Sequence, residues 1–318
     1  ARRNDDPSGI ASREFTNILY GRDSPYGWEI EYEHVDRIER KDLVEFYRRY
    51  FFPSNIMLAV YGDFSSAEMR ARIEKLFGGW DYQQAPAPPF PAFSAKPAPG
   101  VYLGDRSDVN QTFFEIGHIG GLLNDKDYPA LQVAGNILGS GFTSRLMRRV
   151  RTELGYAYNI GASWGAGYLS PGLFEISGST KSKTTVETIR TVQQELEKLR
   201  ATEVTAEELA TAKDAVENSF VFFFDTPART LNRLVLYQYY GYPADFIFQY
   251  QKAIGQVTRA DVLRVARKYL RPENLTIVAV GNPKEFGAPL SALGPVQPLD
   301  LTIPEAPARA TGEGAKSQ

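Results

Sequence analysis

The chain has 318 residues, with 36 basic and 38 acidic side chains, a formal charge of −2 and no cysteine. That balance gives no electrostatic case for nucleic acid or an anionic membrane surface. The absence of cysteine excludes disulfides, thiol nucleophiles and Cys-ligated metals, and it fits a reducing or an oxidising compartment equally.

The opening Ala1-Arg2-Arg3-Asn4-Asp5-Asp6-Pro7 is polar and carries no signal-peptide pattern. Ile10 to Tyr20 has helical spacing after an Asp-Pro start. Arg40 to Tyr50 predicts a second helix with Leu43, Phe46 and Tyr47 on one face. Ile56 to Gly62 reads as an apolar strand. Ser65/Ser66 cap a further helix through Met69, Ile73 and Leu76. Residues 85–100 contain six prolines, which resist helix and interior strand. As an extended path this linker spans roughly 50 Å. It reads either as a tether between two facing domains or as a plain spacer.

From Val101 the predicted order is strand (Thr112 to His118), helix (Tyr128 to Leu138), helix (Thr143 to Leu154), two strands, three helices and a strand. The two middle strands, Ala157 to Trp164 and Leu173 to Thr180, form a glycine-rich twisted hairpin. Thr205 with Glu208 fits a capping box, and Pro227 suits a helix's first turn. This grouping predicts an α+β layer fold. The apolar run Phe220 to Phe224 is far too short to cross a bilayer. After Phe286 the chain is rich in Ala, Pro and Gly and is expected to be disordered.

The chain repeats itself. Ile38 to Leu43 resembles Val257 to Val262, and Tyr50, Pro53, Asn55 and Gly62 recur as Tyr269, Pro272, Asn274 and Gly281. Each later residue lies 219 positions on (269 − 50, 281 − 62). A long-period repeat of this kind predicts two copies of one domain. The second copy occupies residues 101–285. Residues 1–84 then correspond to the C-terminal part of the first copy, whose earlier portion is expected to be missing.

Chemistry is sparse. The histidines, His34 and His118, stand in neither HxxEH nor HxxxH, so no zinc site is expected from this chain. Gly139 to Ser144 lacks the Lys-Ser/Thr of a phosphate loop and reads as a capped glycine turn. No Gly-x-Ser-x-Gly elbow occurs. The most specific stretch is Ser144 to Tyr158, a basic helix that stops at Gly155 and turns into a strand. Arg151 and Tyr158 flank that corner, where a guanidinium and a phenol could hold a peptide carbonyl. The same pattern also arises when arginines complement a helix C-terminus and a strand tyrosine joins the core.

These residues resemble the insulinase/pitrilysin family of zinc peptidases, which includes mitochondrial processing peptidase. The resemblance rests on Asp5-Asp6-Pro7, Ser24-Pro25-Tyr26-Gly27, Asp42-Leu43 to Tyr50, Pro53-Ser54-Asn55, Val60-Tyr61-Gly62-Asp63, and Ser144-Arg145-Leu146 through Arg151 to Tyr158. It implies duplicated α+β domains facing across a cavity, with a mixed, mostly antiparallel sheet packed against helices. It implies that Arg151 and Tyr158, seven residues apart (158 − 151), bind a peptide or polypeptide substrate. It also implies zinc held by an HxxEH motif that this sequence lacks, either in the full-length protein or on a partner. The expected partner is an HxxEH-bearing subunit or a second copy, with the chain alone inactive. The alternative is a non-catalytic scaffold or peptide-binding subunit of the same fold.

Overall fold

The computed structural model describes residues 3–94 and 98–304. Residues 95–97 of the proline-rich linker and 305–318 of the tail lie outside the described residues.

Helix α1 runs Pro7–Tyr20. The Asp6 carboxylate accepts from the amides of Ser8 and Gly9, and Pro7 fills the first turn. Helices α2 (Tyr32–Asp36), α3 (Arg40–Tyr50) and α4 (Ser66–Phe77) follow. Then come β1 (Gly100–Asp105), β2 (Gln111–Ile119), β3 (Gly121–Leu122), α5 (Tyr128–Gly139) and a π-helical stretch, Met147–Glu153. Strands β4 (Ala157–Trp164), β5 (Ala166–Gly167) and β6 (Leu173–Lys181) lead to α6 (Thr185–Ala201), α7 (Ala206–Ser219), α8 (Pro227–Tyr240), α9 (Phe246–Gln256) and α10 (Arg259–Tyr269). Strands β7 (Thr276–Gly281) and β8 (Val296–Pro298) close the order.

Six strands form one sheet in the order β4-β6-β2-β7-β1-β8. The pairs β4/β6, β6/β2 and β2/β7 are antiparallel, whereas β1 runs parallel to β7 and β8. Strand alternation sends Phe114 and Ile116 of β2 to the face where α5, α6 and α10 bury Val133, Ile137, Val186, Ile189, Val262 and Val265. The opposite face meets α1, whose Ile10, Ala11, Phe15 and Leu19 pack on Tyr102, Val278 and Val280. The result is the mixed, mostly antiparallel α+β architecture expected. No helix among the described residues is long and apolar enough to cross a membrane.

Helix α1, which belongs to the segment read as the first copy, lies on the sheet of the second and fits its apolar stripe to β1 and β7. Three expectations need correcting. Ile56 to Gly62 is extended but forms no ladder, since no strand pairs with it among the described residues. Five helices rather than three separate β6 from β7. The tail is structured at least to residue 304: Leu290 is buried, β8 extends the sheet beside β1, and the Leu299 amide donates to the Leu103 carbonyl at 2.8 Å. The linker, too, is held down. Arg49 donates to the carbonyls of Ala85 and Pro86 at 2.8 and 2.7 Å, and the Phe93 ring packs on Tyr20 and Tyr26.

The repeat survives in element bounds. Adding 219 to α3 (Arg40–Tyr50) gives α10 (Arg259–Tyr269), and adding it to the short helix Pro53–Asn55 gives Pro272–Asn274. Burial does not repeat. Leu43, Phe46 and Tyr47 of α3 are 62%, 58% and 57% exposed, whereas Val262, Val265 and Ala266 at the same positions of α10 are each 0% exposed.

Candidate functional site

The corner between the π-helical stretch and β4 is built from backbone outward. An i→i+5 bond from the Leu154 amide to the Arg149 carbonyl (3.2 Å) marks the π turn. The helix stops at Gly155, whose φ of +63° is a left-handed conformation that glycine adopts without strain. The Tyr156 amide then donates to the Val150 carbonyl at 3.0 Å, and Thr180 Oγ1 donates to the Tyr156 carbonyl at 2.8 Å, which fixes where β4 begins. A register shift between Ala157 and Asn159 follows. That bulge releases Tyr158 from the sheet's alternation and leaves it 80% exposed at the sheet edge.

The arginines of this helix divide by partner. Arg145 makes a two-pronged bond to Glu208 at 2.7 and 2.9 Å, and Glu208 also accepts from the Thr205 amide as part of the α7 capping box. Arg149 bonds Glu153 at 2.7 Å, with Arg148 3.8 Å from the same carboxylate. The Arg151 side chain has no hydrogen bond or ion pair among the described residues. Its guanidinium carbon lies 4.9 Å from the Tyr158 ring centroid and 5.1 Å from that of Phe142. The structure thus brings the two sequence-predicted residues together and adds a third. Phe142, 76% exposed, sits in a glycine turn that Ser144 closes by donating to the Gly141 carbonyl at 2.8 Å. Cation–π attraction to the two rings holds the guanidinium, and its N–H groups have no partner among the described residues. Such a guanidinium beside a phenol hydroxyl can donate to a carbonyl oxygen or to the oxyanion formed from it.

The histidines are not brought together. In α2, His34 Nδ1 accepts from the Glu31 amide at 2.9 Å, and its ring packs on Trp28. In β2, His118 Nδ1 bonds the Ile119 carbonyl at 2.8 Å, and its ring lies against Trp164 and Phe174. Burial pushes the His118 pKa down. Among the described residues no group of three or more His, Cys, Asp or Glu could hold a metal ion. The donor set does not fit a zinc site.

Sequence reading also missed a buried carboxyl. Glu115 of β2 faces α1, is only 7% exposed, and leaves Oε2 without a hydrogen-bond partner. Its cross-strand neighbour is Ser177, so Glu175 lies diagonally beside it on the same face. Burial first, and the Glu175 charge second, push the Glu115 pKa up to about 8.

Residues 37–216, well over half of the chain, match the family described as Peptidase M16 inactive domain. The chain belongs to that family. An uncharacterized zinc protease of Rickettsia bellii is 25% identical over 226 residues, covering 69% of this chain and 52% of that protein. A Helicobacter pylori protein named non-peptidase homolog YmxG is 25% identical over 262 residues, covering 80% of this chain and 58% of that one. The crystal structure of a peptidase M16 inactive domain from Pseudomonas fluorescens shares the fold, with a TM-score of 0.74 at 23% identity, covering 88% of this chain and 67% of that chain. The chain spans about half the length of the first curated relatives it matches, 52% and 55%. The resemblance read from the sequence therefore holds at the level of family and fold.

Proposed function

We propose that this M16 chain is the substrate-gripping portion of a zinc endopeptidase, completed by an HxxEH-bearing segment or subunit that holds the metal. The observation that carries the proposal is Arg151, a guanidinium without a carboxylate partner, held between the exposed rings of Phe142 and Tyr158. In this reading Arg151 orients the carbonyl of an extended peptide, and the Tyr158 hydroxyl donates to the oxygen as negative charge develops on it. Both groups are positioned before substrate arrives, so little reorganisation opposes the step.

Where the completing portion docks follows from the repeat, read as a duplicated domain. Leu43, Phe46 and Tyr47, with the unpaired segment 56–62, present the side chains that α10 and β7 bury at the matching positions. Exposed apolar side chains in these two segments offer a natural interaction surface.

The test mixes the chain with an HxxEH-bearing homologue and follows cleavage of an internally quenched, unstructured peptide. Tyr158→Phe is expected to lower kcat about a hundredfold or more, the effect of losing one oxyanion donor. Arg151→Gln is expected to lower kcat/KM comparably. Cleavage that is restored but indifferent to both variants refutes the role. The name of the Helicobacter pylori relative, non-peptidase homolog, favours a second reading as a non-catalytic scaffold or peptide-binding subunit. That reading predicts binding of the HxxEH partner or of unstructured peptide with no cleavage at all.

A further inference from the structure

Between α5, α7, α8 and α9 lies a cavity of about 260 Å³ whose wall is largely aromatic, with Tyr128, Tyr168, Phe223, Tyr237 and Tyr250 among its lining residues. Its one cationic lining group is Arg233 of α8. The guanidinium carbon stacks 4.3 Å over the Phe223 ring, and Nη1 donates to the Tyr237 hydroxyl at 3.2 Å. Nε is buried and has no hydrogen-bond partner. Arg233 forms no ion pair among the described residues, and Asp225, the acid just before its helix, is taken by Arg229 at 2.8 Å. A partly buried cation without a counter-charge is costly, and the unmade hydrogen bond at Nε adds to the cost. An anion entering the cavity would supply the missing counter-charge.

We propose that this cavity binds a small monocarboxylate with an aromatic body, its carboxylate bonded to Arg233 and its ring stacked among the tyrosines. The chemistry fits each feature of the wall. A carboxylate matches the planar donor edge of a guanidinium. An aromatic body matches walls such as the stacked Tyr128 and Tyr250 rings, 5.2 Å apart. The volume suits a body on the order of ten non-hydrogen atoms. No lining residue is shared with the Arg151, Tyr158 and Phe142 cluster, so the two readings stand or fall separately.

Two sources supply that chemistry, a free aromatic acid and the C-terminal residue of a peptide. Calorimetric titration of the whole chain with 3-phenylpropionate and with N-acetyl-L-phenylalanine tests both. Saturable one-to-one binding of the first alone supports a free acid, and binding of both supports a peptide C-terminus. The amide, 3-phenylpropionamide, is expected to bind at least about thirtyfold more weakly than the acid, the effect of leaving the guanidinium unpaired. Arg233→Met, which keeps the stem's length and removes the charge, is expected to abolish acid binding while the circular dichroism spectrum is unchanged. The amide arm needs no mutation, so it decides the question even if that variant fails to fold. No saturable heat with either acid up to about 10 mM, or equal affinity for acid and amide, overturns the proposal.

Discussion

Replacing Glu115 by Gln is expected to stabilise the protein, and by an amount that depends on pH. The carboxyl sits beneath α1 with its pKa pushed up from 4.5 to about 8. The folded chain therefore keeps a proton that the unfolded chain releases, so stability contributed by the neutral acid is full below about pH 4.5 and is lost as pH rises toward about 8. Each pH unit in that window costs about 1.4 kcal/mol. From 4.5 to neutral pH is about 2.5 units, so the wild type gives up on the order of 3 kcal/mol at pH 7 and on the order of 5 kcal/mol above pH 8. Glutamine copies the size of the neutral acid and does not titrate. Urea unfolding of both proteins by circular dichroism, from about pH 5 to about pH 8.5, should show curves that nearly coincide at the acidic end and diverge steadily above it. A difference in stability that stays constant across the range would refute the reasoning, because it would mean that Glu115 titrates alike in the folded and unfolded chains.

Two further outcomes test the packing around the site. Asp127 ends the loop before α5, and its carboxylate, 3% exposed, bonds Arg264 at 2.8 Å and Lys268 and Tyr269 at 2.9 Å each. Burial opposes its ionisation, but those bonds prevail and hold its pKa down at about 2. Asp127→Ala, which removes three bonds to a buried carboxylate while its half-exposed cations return to water, should cost about 2 kcal/mol in urea unfolding at neutral pH, and a loss under about 0.5 kcal/mol contradicts the account. Gly139 ends α5 where the helix crosses β4, and a Cβ there would stand 2.1 Å from the Ala162 amide nitrogen and 2.4 Å from Ala162 Cβ. Gly139→Ala should therefore lower the thermal midpoint despite alanine's better helix propensity, by the equivalent of about 2 kcal/mol, and a rise in midpoint would sink the argument.

What could be read in advance follows from where the information is local. The bounds of α3 and α10 were legible because capping, periodicity and the following proline turn recur together. The α7 start was legible because Thr205 and Glu208 satisfy each other within one turn. The Arg151 and Tyr158 pairing was legible only through spacing and family resemblance. Phe142 was not, because nothing in a glycine turn announces that its tip will lie over a guanidinium from the next helix. The bulge that turns Tyr158 outward depends on the partner strand β6. The amphipathic stripe of α1 signalled a buried face but could not say that β1 and β7 would cover it. Ile56 to Gly62 has a strand's composition, yet a strand is a relation between two segments and only one is present among the described residues. β8 has the opposite history, since three residues in a proline-rich stretch carry no period, and their strand character comes from the free edge of β1.

The parallel pairing of Gly100 with Thr276 has a consequence for how the molecule is made. Both neighbours of β1 are encoded after α10, so a nascent chain that has left the ribosome only as far as α9 holds an apolar strand with neither flank covered. β2 waits likewise for β7, with only the β4–β6 hairpin in place beside it. Closing the sheet means joining segments separated by about half of the polypeptide, an arrangement that folds slowly and rewards late synthesis with nearly all of the cooperativity. Until that moment the exposed edges of β1 and β2 are where holdase chaperones would find their grip.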